Sequence, residues 1–513
     1  QSAFFFTMSD FDTFNMHRLT AGTPFTVALG SGEDTFIMSL PPDDLNRFVQ
    51  NPGDMLEVYA ENDNDLIIIH DTDGQTFFDG GWGEDTVIVN MTGGTTTVTG
   101  GVSSDTITIN NSGGTATFGG GEGDDFLIVN NTGGTVTVNG NEGIDNITIN
   151  GAGGKTIING GANLDYILLI GEVGTTEING DNPTDNVDNL LADEFTGNGT
   201  TTIFTPALIP ATDPRQDVLV RLNGAEMPPG TYTWDGVNLI FAAAPANGSL
   251  VQVTRICDPN NGYCPGDDRI FISSGGGDMT INGGWGADKY FVSSGVSKDT
   301  FTTNGIYNDE HPLPSMTGDL SGIGGNFNIN GWADGNGGIR DRLYVVDRLA
   351  ESGVLAATTL TGFSIPDGNS LNYVNVELVE IQMGDGDNTL RVESLASTVM
   401  ATFYGGSGND SLDVGNQADQ LEDIQGIVVF NGQDGVDTLN AYDSGDTTDN
   451  TGQLTAINIT GFGMGTNAWL SVHIDMGALP ITPAGEIPCT ADNSCPAAIY
   501  YARRNDTDQI SSD

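Results

Sequence analysis

The chain has 513 residues, with 69 Asp and Glu against 15 Lys and Arg, and a formal net charge of −54. That excess of acid repels nucleic-acid phosphates and ordinary anionic membrane surfaces, so neither is an expected partner. Disorder is the usual reading of so acidic a chain, but 37% hydrophobic residues set at a strict period point to a packed fold.

Length alone suggests about three domains. Residues 1–79 open irregularly: Asp12-Thr13-Phe14, GSGEDTFIM (30–38, with Asp34) and DNDLIII (63–69, with Asp65) share one form, and PPDDLNRF (41–48) reads as a short helical insertion. No signal peptide precedes Gln1, which reads as a processed chain or a fragment. No apolar run of about 18 residues predicts a transmembrane helix.

From Gly80 the chain repeats. GGWGEDTVIVNMTGGTTTVT (80–99), GGVSSDTITINNSGGTATFG (100–119) and GGEGDDFLIVNNTGGTVTVN (120–139) are followed by GNEGIDNITINGAGGKTIIN (140–159) and GGANLDYILLIGEVGTTEIN (160–179). Asp85, Asp105, Asp125, Asp145, Asp165 and Asp185 recur every twenty residues, a solenoid period. Each period holds two runs alternating with a period of two, hence two strands. Val87/Val89, Ile107/Ile109, Leu127/Val129, Ile147/Ile149 and Ile167/Leu169 form one inward face; Val98, Phe118, Val138, Ile158 and Ile178 form the other. The expected fold is all-β: a flattened parallel β-solenoid of about twenty residues per rung, its rungs about 4.8 Å apart, three-sided only if a corner adds a strand. One corner, Asn-x-Thr/Ser-Gly-Gly, uses glycine for φ > 0 and stacks Asn90, Asn110, Asn130 and Asn150 as an amide ladder. The other, Gly-Gly-x-Gly-x-Asp, stacks carboxylates that would repel by about 1 kcal/mol even in water, so a cation is expected among them.

Residues 197–214 read as a linker. QDVLVRLNGAEMPPGTYTWDGVNLIFAAAPANGSLVQVTRI (216–256) has alternating strands between Asn-Gly, Pro-Pro-Gly and Asp-Gly turns, an antiparallel module that resembles the β-sandwich modules of large adhesins and fibre proteins. The solenoid resumes at GDDRIFIS (266–273), with Asp268 and Asp288 again twenty apart; 306–340 reads as Gly/Asn-rich loop. From Asp341 the rungs are less regular, with VNVELVEIQMGDGDNTLRV (374–392) and NGQDGVDTLNAYD (431–443) placing Asp387, Asp410 and Asp437 at intervals of 23 and 27. This part resembles segments of very large secreted surface proteins.

The corners GGWGEDTV (80–87), GGEGDDFL (120–127), GGWGADKYF (283–291) and GGSGNDSLDV (405–414) resemble the RTX-type (hemolysin-type) calcium-binding repeat. The resemblance implies several structural Ca2+ ions, held by the Asp and by backbone carbonyls of adjacent rungs. The period is longer than that family's, and one corner per rung keeps the Asp, so calcium is expected along one edge. GGVSSD (100–105) and GGANLD (160–165) each lack a motif glycine. The candidate metal residues are Asp34, Asp65, Asp85, Asp105, Asp124, Asp125, Asp145, Asp165, Asp185, Asp267, Asp268, Asp288, Asp385, Asp387, Asp410, Asp434 and Asp437. The expected segments are 1–190, a calcium-binding β-solenoid; 191–265, the β-sandwich-like insertion with linkers; 266–340, resumed rungs; 341–480, a second, irregular solenoid; and 481–513, a disulfide-bearing tail.

Cys257 with Cys264, and Cys489 with Cys495, close short loops without histidine nearby, which favours disulfides over zinc and an extracellular setting. Asn90-Met-Thr, Asn110-Asn-Ser and Asn130-Asn-Thr are N-glycosylation sequons, though such corners favour Asn, Thr and Gly anyway. The histidines, His17, His70, His311 and His473, are scattered, and no enzyme is expected. The expected function is a calcium-stabilised structural or adhesive surface protein, self-assembling as a filament, sheath or layer, or contacting other surface proteins or glycans. Assembly is expected because Ser9–Phe14 already resembles a rung with little room for a cap before it, the alternative being that residues 1–8 fold over the end. The alternatives are a polysaccharide-acting β-helix enzyme and, from the outward Thr95/Thr97, Thr115/Thr117 and Thr135/Thr137, an ice-binding solenoid.

Overall fold

Alternation of apolar and polar residues makes each short run a strand, and in the computed structural model the strands of successive periods lie side by side in parallel. The structure describes the chain outside residues 1–2, 7–10, 17–23, 39–53, 181–191, 205–217, 223–224, 227–231, 235–238, 256–266, 332–340, 473–498, 504–508 and 512–513, together with scattered single or paired turn positions. Described residues form an all-β protein with no α-helix among them. They fall into two units, one of Gln1–Ile270, Thr280–Lys289 and Gly331–Asp341, the other of Phe271–Met279, Tyr290–Asn330 and Arg342–Asp513.

In the first unit each period supplies one strand to each of two sheets. Thr106–Asn110 lies between Thr86–Thr92 and Phe126–Asn130, pairing Ile107 with Val87 and Leu127. Thr115–Glu122 lies between Thr95–Val102 and Val136–Glu142, pairing Phe118 with Val98 and Val138. The inward residues Val87, Val89, Ile107, Ile109, Leu127 and Val129 are at most 1% exposed, as are Val98, Phe118, Val138, Ile158 and Ile178 from the facing sheet. Each such side chain stabilises the fold by about 1.5–3 kcal/mol, and the strict period makes this gain recur at every rung. The coil is two-sided. The second sheet runs on into the Asp-bearing corner, where Gly81, Gly101 and Gly121 pair in register.

Two details depart from the sequence reading. Thr76, Thr96, Thr156 and Thr176 point inward and are at most 4% exposed, sharing a core column with Ala116 and Val136. The glycines of the Asn-bearing corner also work differently from expectation. Gly114, Gly133, Gly134 and Gly154 lack positive φ, which occurs at the other corner, as at Gly81 (95°) and Gly83 (135°), and on this side at Gly151 (71°) and Gly171 (66°). A Cβ on Gly114 would lie 1.9 Å from Gly94 O, and one on Gly134 only 1.8 Å from Gly114 O, so these positions need glycine for close stacking of backbones.

An antiparallel module forms, and it takes in Ile203–Phe204 from the stretch read as linker. Leu250–Arg255 pairs with Ala192–Thr196 and Val218–Leu222, and Leu239–Phe241 with Ile203–Phe204 and Tyr232–Trp234. It is looped out between consecutive rungs: the Asp165 N–H donates to Asp268 Oδ1 (2.8 Å) across 103 residues of sequence.

In the second unit, Arg342–Asp347, Leu378–Met383, Met400–Ser407 and Ile427–Asp434 stack in one parallel sheet. Ser352–Ala356, Thr389–Val392, Ser411–Val414 and Thr438–Tyr442 stack in the other. The segment read as loop over 306–340 contributes a strand, Asn326–Asn330, parallel to Ser370–Val374. A local motif appears twice. Gly353 pairs with Gly362 and Gly452 with Gly461, each pair ahead of a phenylalanine at positive φ, Phe363 (54°) and Phe462 (53°). In both, a Cβ on the first glycine would strike that phenylalanine's ring.

Candidate metal centre

The aspartate that ends each Gly-Gly-x-Gly-x-Asp corner turns inward. Its backbone N–H donates to Oδ1 of the corresponding aspartate in the next rung. The file runs Asp12→Asp34 (2.7 Å), Asp34→Asp65 (2.6 Å), Asp65→Asp85, Asp85→Asp105 and Asp105→Asp125 (each 2.7 Å), and Asp125→Asp145 and Asp145→Asp165 (each 2.8 Å). Beyond the antiparallel module it continues through Asp268 and Asp288 to Asp341. Exposure is 0–3% at Asp34, Asp65, Asp85, Asp105, Asp125 and Asp145. The second unit has a shorter file, in which Asn388 N–H donates to Asp410 Oδ1 and Asp410 N–H to Asp437 Oδ1, both at 2.8 Å.

Oδ1 is therefore occupied and Oδ2 is left over. In Asp34, Asp65, Asp85, Asp105, Asp125, Asp145 and Asp410, Oδ2 is buried without a hydrogen-bond partner, a costly arrangement for an ionised oxygen. In the rungs of Asp85, Asp105, Asp125, Asp145 and Asp410 it lies where the corner's first glycine would carry a Cβ, whereas the Asp34 and Asp65 rungs hold Leu29 and Ala60 at that position. A Cβ on Gly80 would be 2.5 Å from Asp85 Oδ2 and 2.1 Å from Gly100 O; on Gly140, 2.2 Å from Asp145 Oδ2 and 2.1 Å from Gly160 O; on Gly405, 2.1 Å from Asp410 Oδ2 and 2.8 Å from Gly432 O. Each pocket thus brings a carboxylate oxygen and a carbonyl oxygen of the next rung toward one point.

Asn388 shows what such a pocket asks for. It holds the position that aspartate holds elsewhere, and its Nδ2 donates to Gly384 O (2.7 Å), Gly386 O (3.0 Å) and Gly405 O (3.0 Å). The carbonyls converge on the second oxygen's place. In an aspartate rung that place holds another acceptor.

Burial pushes the carboxyls up, neighbouring carboxylates add to this, and the N–H from the previous rung offsets part of it. Asp65 and Asp105 are pushed up to about 8, Asp145 to about 7, and Asp85, Asp125 and Asp410 to about 6. An oxygen-only donor set of this kind fits a hard cation such as Ca2+. Bound there, calcium would supply positive charge to Oδ2 and the carbonyls in place of a proton.

The structure separates the candidate residues. Asp34, Asp65, Asp85, Asp105, Asp125, Asp145, Asp165, Asp268, Asp288, Asp410 and Asp437 occupy the inward files. Asp124, Asp267 and Asp387 stand one residue earlier, in an outer file, where their Oδ1 accepts the N–H of Ile144 (2.8 Å), Ala287 (2.7 Å) and Asn409 (2.7 Å). Asp387 is thus not the counterpart of Asp410. That place belongs to Asn388, 22 residues before it. Asp385 and Asp434 are exposed on the corners. Asp185 and Cys257, Cys264, Cys489 and Cys495 lie outside the described residues.

Of the expected Asn90, Asn110, Asn130 and Asn150 ladder the first three are joined: Asn110 Nδ2 donates to Asn90 Oδ1 (2.8 Å) and Asn130 Nδ2 to Asn110 Oδ1 (2.9 Å). The sequon nitrogens of Asn110 and Asn130 are therefore already engaged. A second ladder, Asn159 to Asn139, Asn179 to Asn159 and Asn282 to Asn179 (2.7, 2.9 and 3.0 Å), was legible in the recurrence of Asn before the Gly-Gly corner but not singled out.

Also missed was an acidic group in the second unit, where carboxylate oxygens of Glu422, Asp443 and Asp446 lie within 4.8 Å of one another. The two copies of the Gly-Phe motif differ here. In the first, Ser364 follows Phe363 and donates its N–H (2.6 Å) and hydroxyl (2.7 Å) to Asp347 Oδ2. In the second, Gly463 takes the serine's place after Phe462, and its Cβ position lies 2.9 Å from Glu422 Cγ.

No helix among the described residues is long and apolar enough to cross a membrane. No protein-family model matches the chain, and comparison with curated proteins finds none similar to it.

Proposed function

We propose that this protein is an extracellular structural or adhesive element, a parallel β-solenoid whose Asp-bearing edge is completed by a file of Ca2+ ions. The observation that carries the reading is the set of buried Oδ2 atoms turned toward backbone carbonyls, with an amide donor filling the equivalent place at Asn388. Acceptors that face one another need a proton or a cation between them. Extracellular calcium supplies the cation, and a net charge of −54 favours its uptake. With metal in place, rung formation and metal binding become one event. A stiff, acidic solenoid edge of this kind suits load-bearing or surface contact, with further copies or surface glycans as partners.

Calorimetric titration of the calcium-stripped full-length chain is expected to show several sites per chain. Terbium, used as a calcium analogue, is expected to emit by energy transfer from Trp82, which shares a corner with Asp85 and is 65% exposed. Excess calcium should quench that emission. Heat-silent titration together with an absence of sensitised emission would sink the reading.

A further inference from the structure

We infer that the Asn388 amide takes the place of the cation in its own pocket, so that this rung closes without metal while the aspartate rungs do not. The inference rests on the calcium reading above and assigns it rung by rung.

Three observations carry it. First, Asn388 belongs to the file by backbone geometry, since its N–H donates to Asp410 Oδ1 at 2.8 Å just as Asp85 N–H donates to Asp105 Oδ1 at 2.7 Å. Second, it is 5% exposed, and its Nδ2 meets Gly384 O, Gly386 O and Gly405 O at 2.7–3.0 Å, ordinary N–H···O lengths. Third, the next rung reverses the chemistry at the corresponding position. Asp410 Oδ2 is buried without a partner, beside the Gly405 Cβ position (2.1 Å) and near Gly432 O. Asparagine and aspartate are nearly isosteric, so at this position the rungs differ in whether two N–H groups or a bare oxygen face the carbonyls, while the corner's first residue is Met383 in one and Gly405 in the other. Where the amide is present the carbonyls are satisfied from within the chain. A cation entering that pocket would meet N–H groups and no carboxylate oxygen.

The rule is reciprocal, and two substitutions in the full-length chain test it. Asn388→Asp should create a pocket of the aspartate type. The variant is expected to bind one more calcium per chain than wild type, counted by elemental analysis after equilibrium dialysis. The difference between its melting temperatures in calcium and in chelator should widen by several degrees. Asp410→Asn should do the opposite, binding one fewer calcium and narrowing that difference by raising the melting temperature in chelator. A wild-type chain that binds calcium, with an Asn388→Asp variant that folds but adds no ion, overturns this inference and leaves the calcium reading standing. A wild-type chain that binds no calcium overturns both. If Asn388→Asp fails to fold even in calcium, the Asp410→Asn arm decides. An unchanged ion count there overturns the inference, and the loss of one ion with a gain of stability in chelator upholds it.

Discussion

Replacing Gly134 with alanine is expected to destabilise the solenoid by more than about 4 kcal/mol, whereas replacing its neighbour Gly133 should change stability by less than about 0.5 kcal/mol. The two residues are adjacent and identical in type, and stacking separates them. A Cβ on Gly134 would sit 1.8 Å from Gly114 O, 2.8 Å from Gly114 C and 2.9 Å from Gly113 O, all backbone atoms of the rung beside it. That rung cannot withdraw, because Val136 is paired with Ala116 and Val138 with Phe118 a few residues on. A Cβ on Gly133 would meet nothing within 4 Å. The same clash recurs at Gly114 and Gly154, each 1.9 Å from the carbonyl of the rung before, so alanine at either should be as damaging as at Gly134. Chemical denaturation of the variants, followed by the β signal in circular dichroism, measures the difference. Equal losses at Gly133 and Gly134 would show that this corner tolerates a side chain and that the stacking account is wrong.

The architecture was legible because one physical rule repeats. Alternation with a period of two, returning every twenty residues, admits few folds besides stacked parallel strands, and the inward faces from Val87 to Leu169 followed directly. The site was legible only to the level of its column. Sequence spacing places the aspartates above one another, but it does not say that Oδ1 is taken by the N–H of the previous rung or that Oδ2 is turned toward carbonyls. That division comes from the backbone conformation of the corner, with φ of 95° at Gly81 and 135° at Gly83. Register failed where the motif degenerates. In Met383-Gly-Asp-Gly-Asp387-Asn388 the first glycine is replaced by methionine, so Asp387 looked like the corner aspartate and Asn388 like a bystander. The strand Asn326–Asn330 was hidden by its glycine- and asparagine-rich surroundings, although Phe327 and Ile329 alternate inward and are at most 1% exposed. The acidic group of Glu422, Asp443 and Asp446 has no periodic signature, because excursions of the chain separate Glu422 from the two aspartates.

In chelator, the protein is expected to lose thermal stability as the pH rises from 5 to 8; in millimolar calcium it should not. The first half follows from the aspartate file. A carboxyl whose pKa is higher in the folded than in the unfolded chain binds its proton more tightly when folded. The stability it contributes is fully present below the ordinary value of 3.8 and is lost as the pH rises through the folded value. Those folded values lie at about 6 for Asp85, Asp125 and Asp410, about 7 for Asp145 and about 8 for Asp65 and Asp105. The metal-free loss therefore spreads over the window from about pH 4 to beyond 8, with no single sharp step. The second half follows from competition for Oδ2. Calcium binds the ionised carboxylate, so at pH 5 it must displace protons and gains little, whereas at pH 8 it meets oxygens that are ionised or nearly so. The melting curves with and without calcium should lie close together at pH 5 and separate progressively above pH 6, by at least ten degrees at pH 8 if each of several sites adds about 2–3 kcal/mol at saturating metal. Asp105→Asn removes one titrating carboxyl and keeps an Oδ1 for the Asp85 N–H. Its curve in chelator should therefore be flatter than that of wild type between pH 6 and 8. A metal-free chain as stable at pH 8 as at pH 5, or a calcium effect of constant size across the range, would show that the buried oxygens are neutralised by neither proton nor metal.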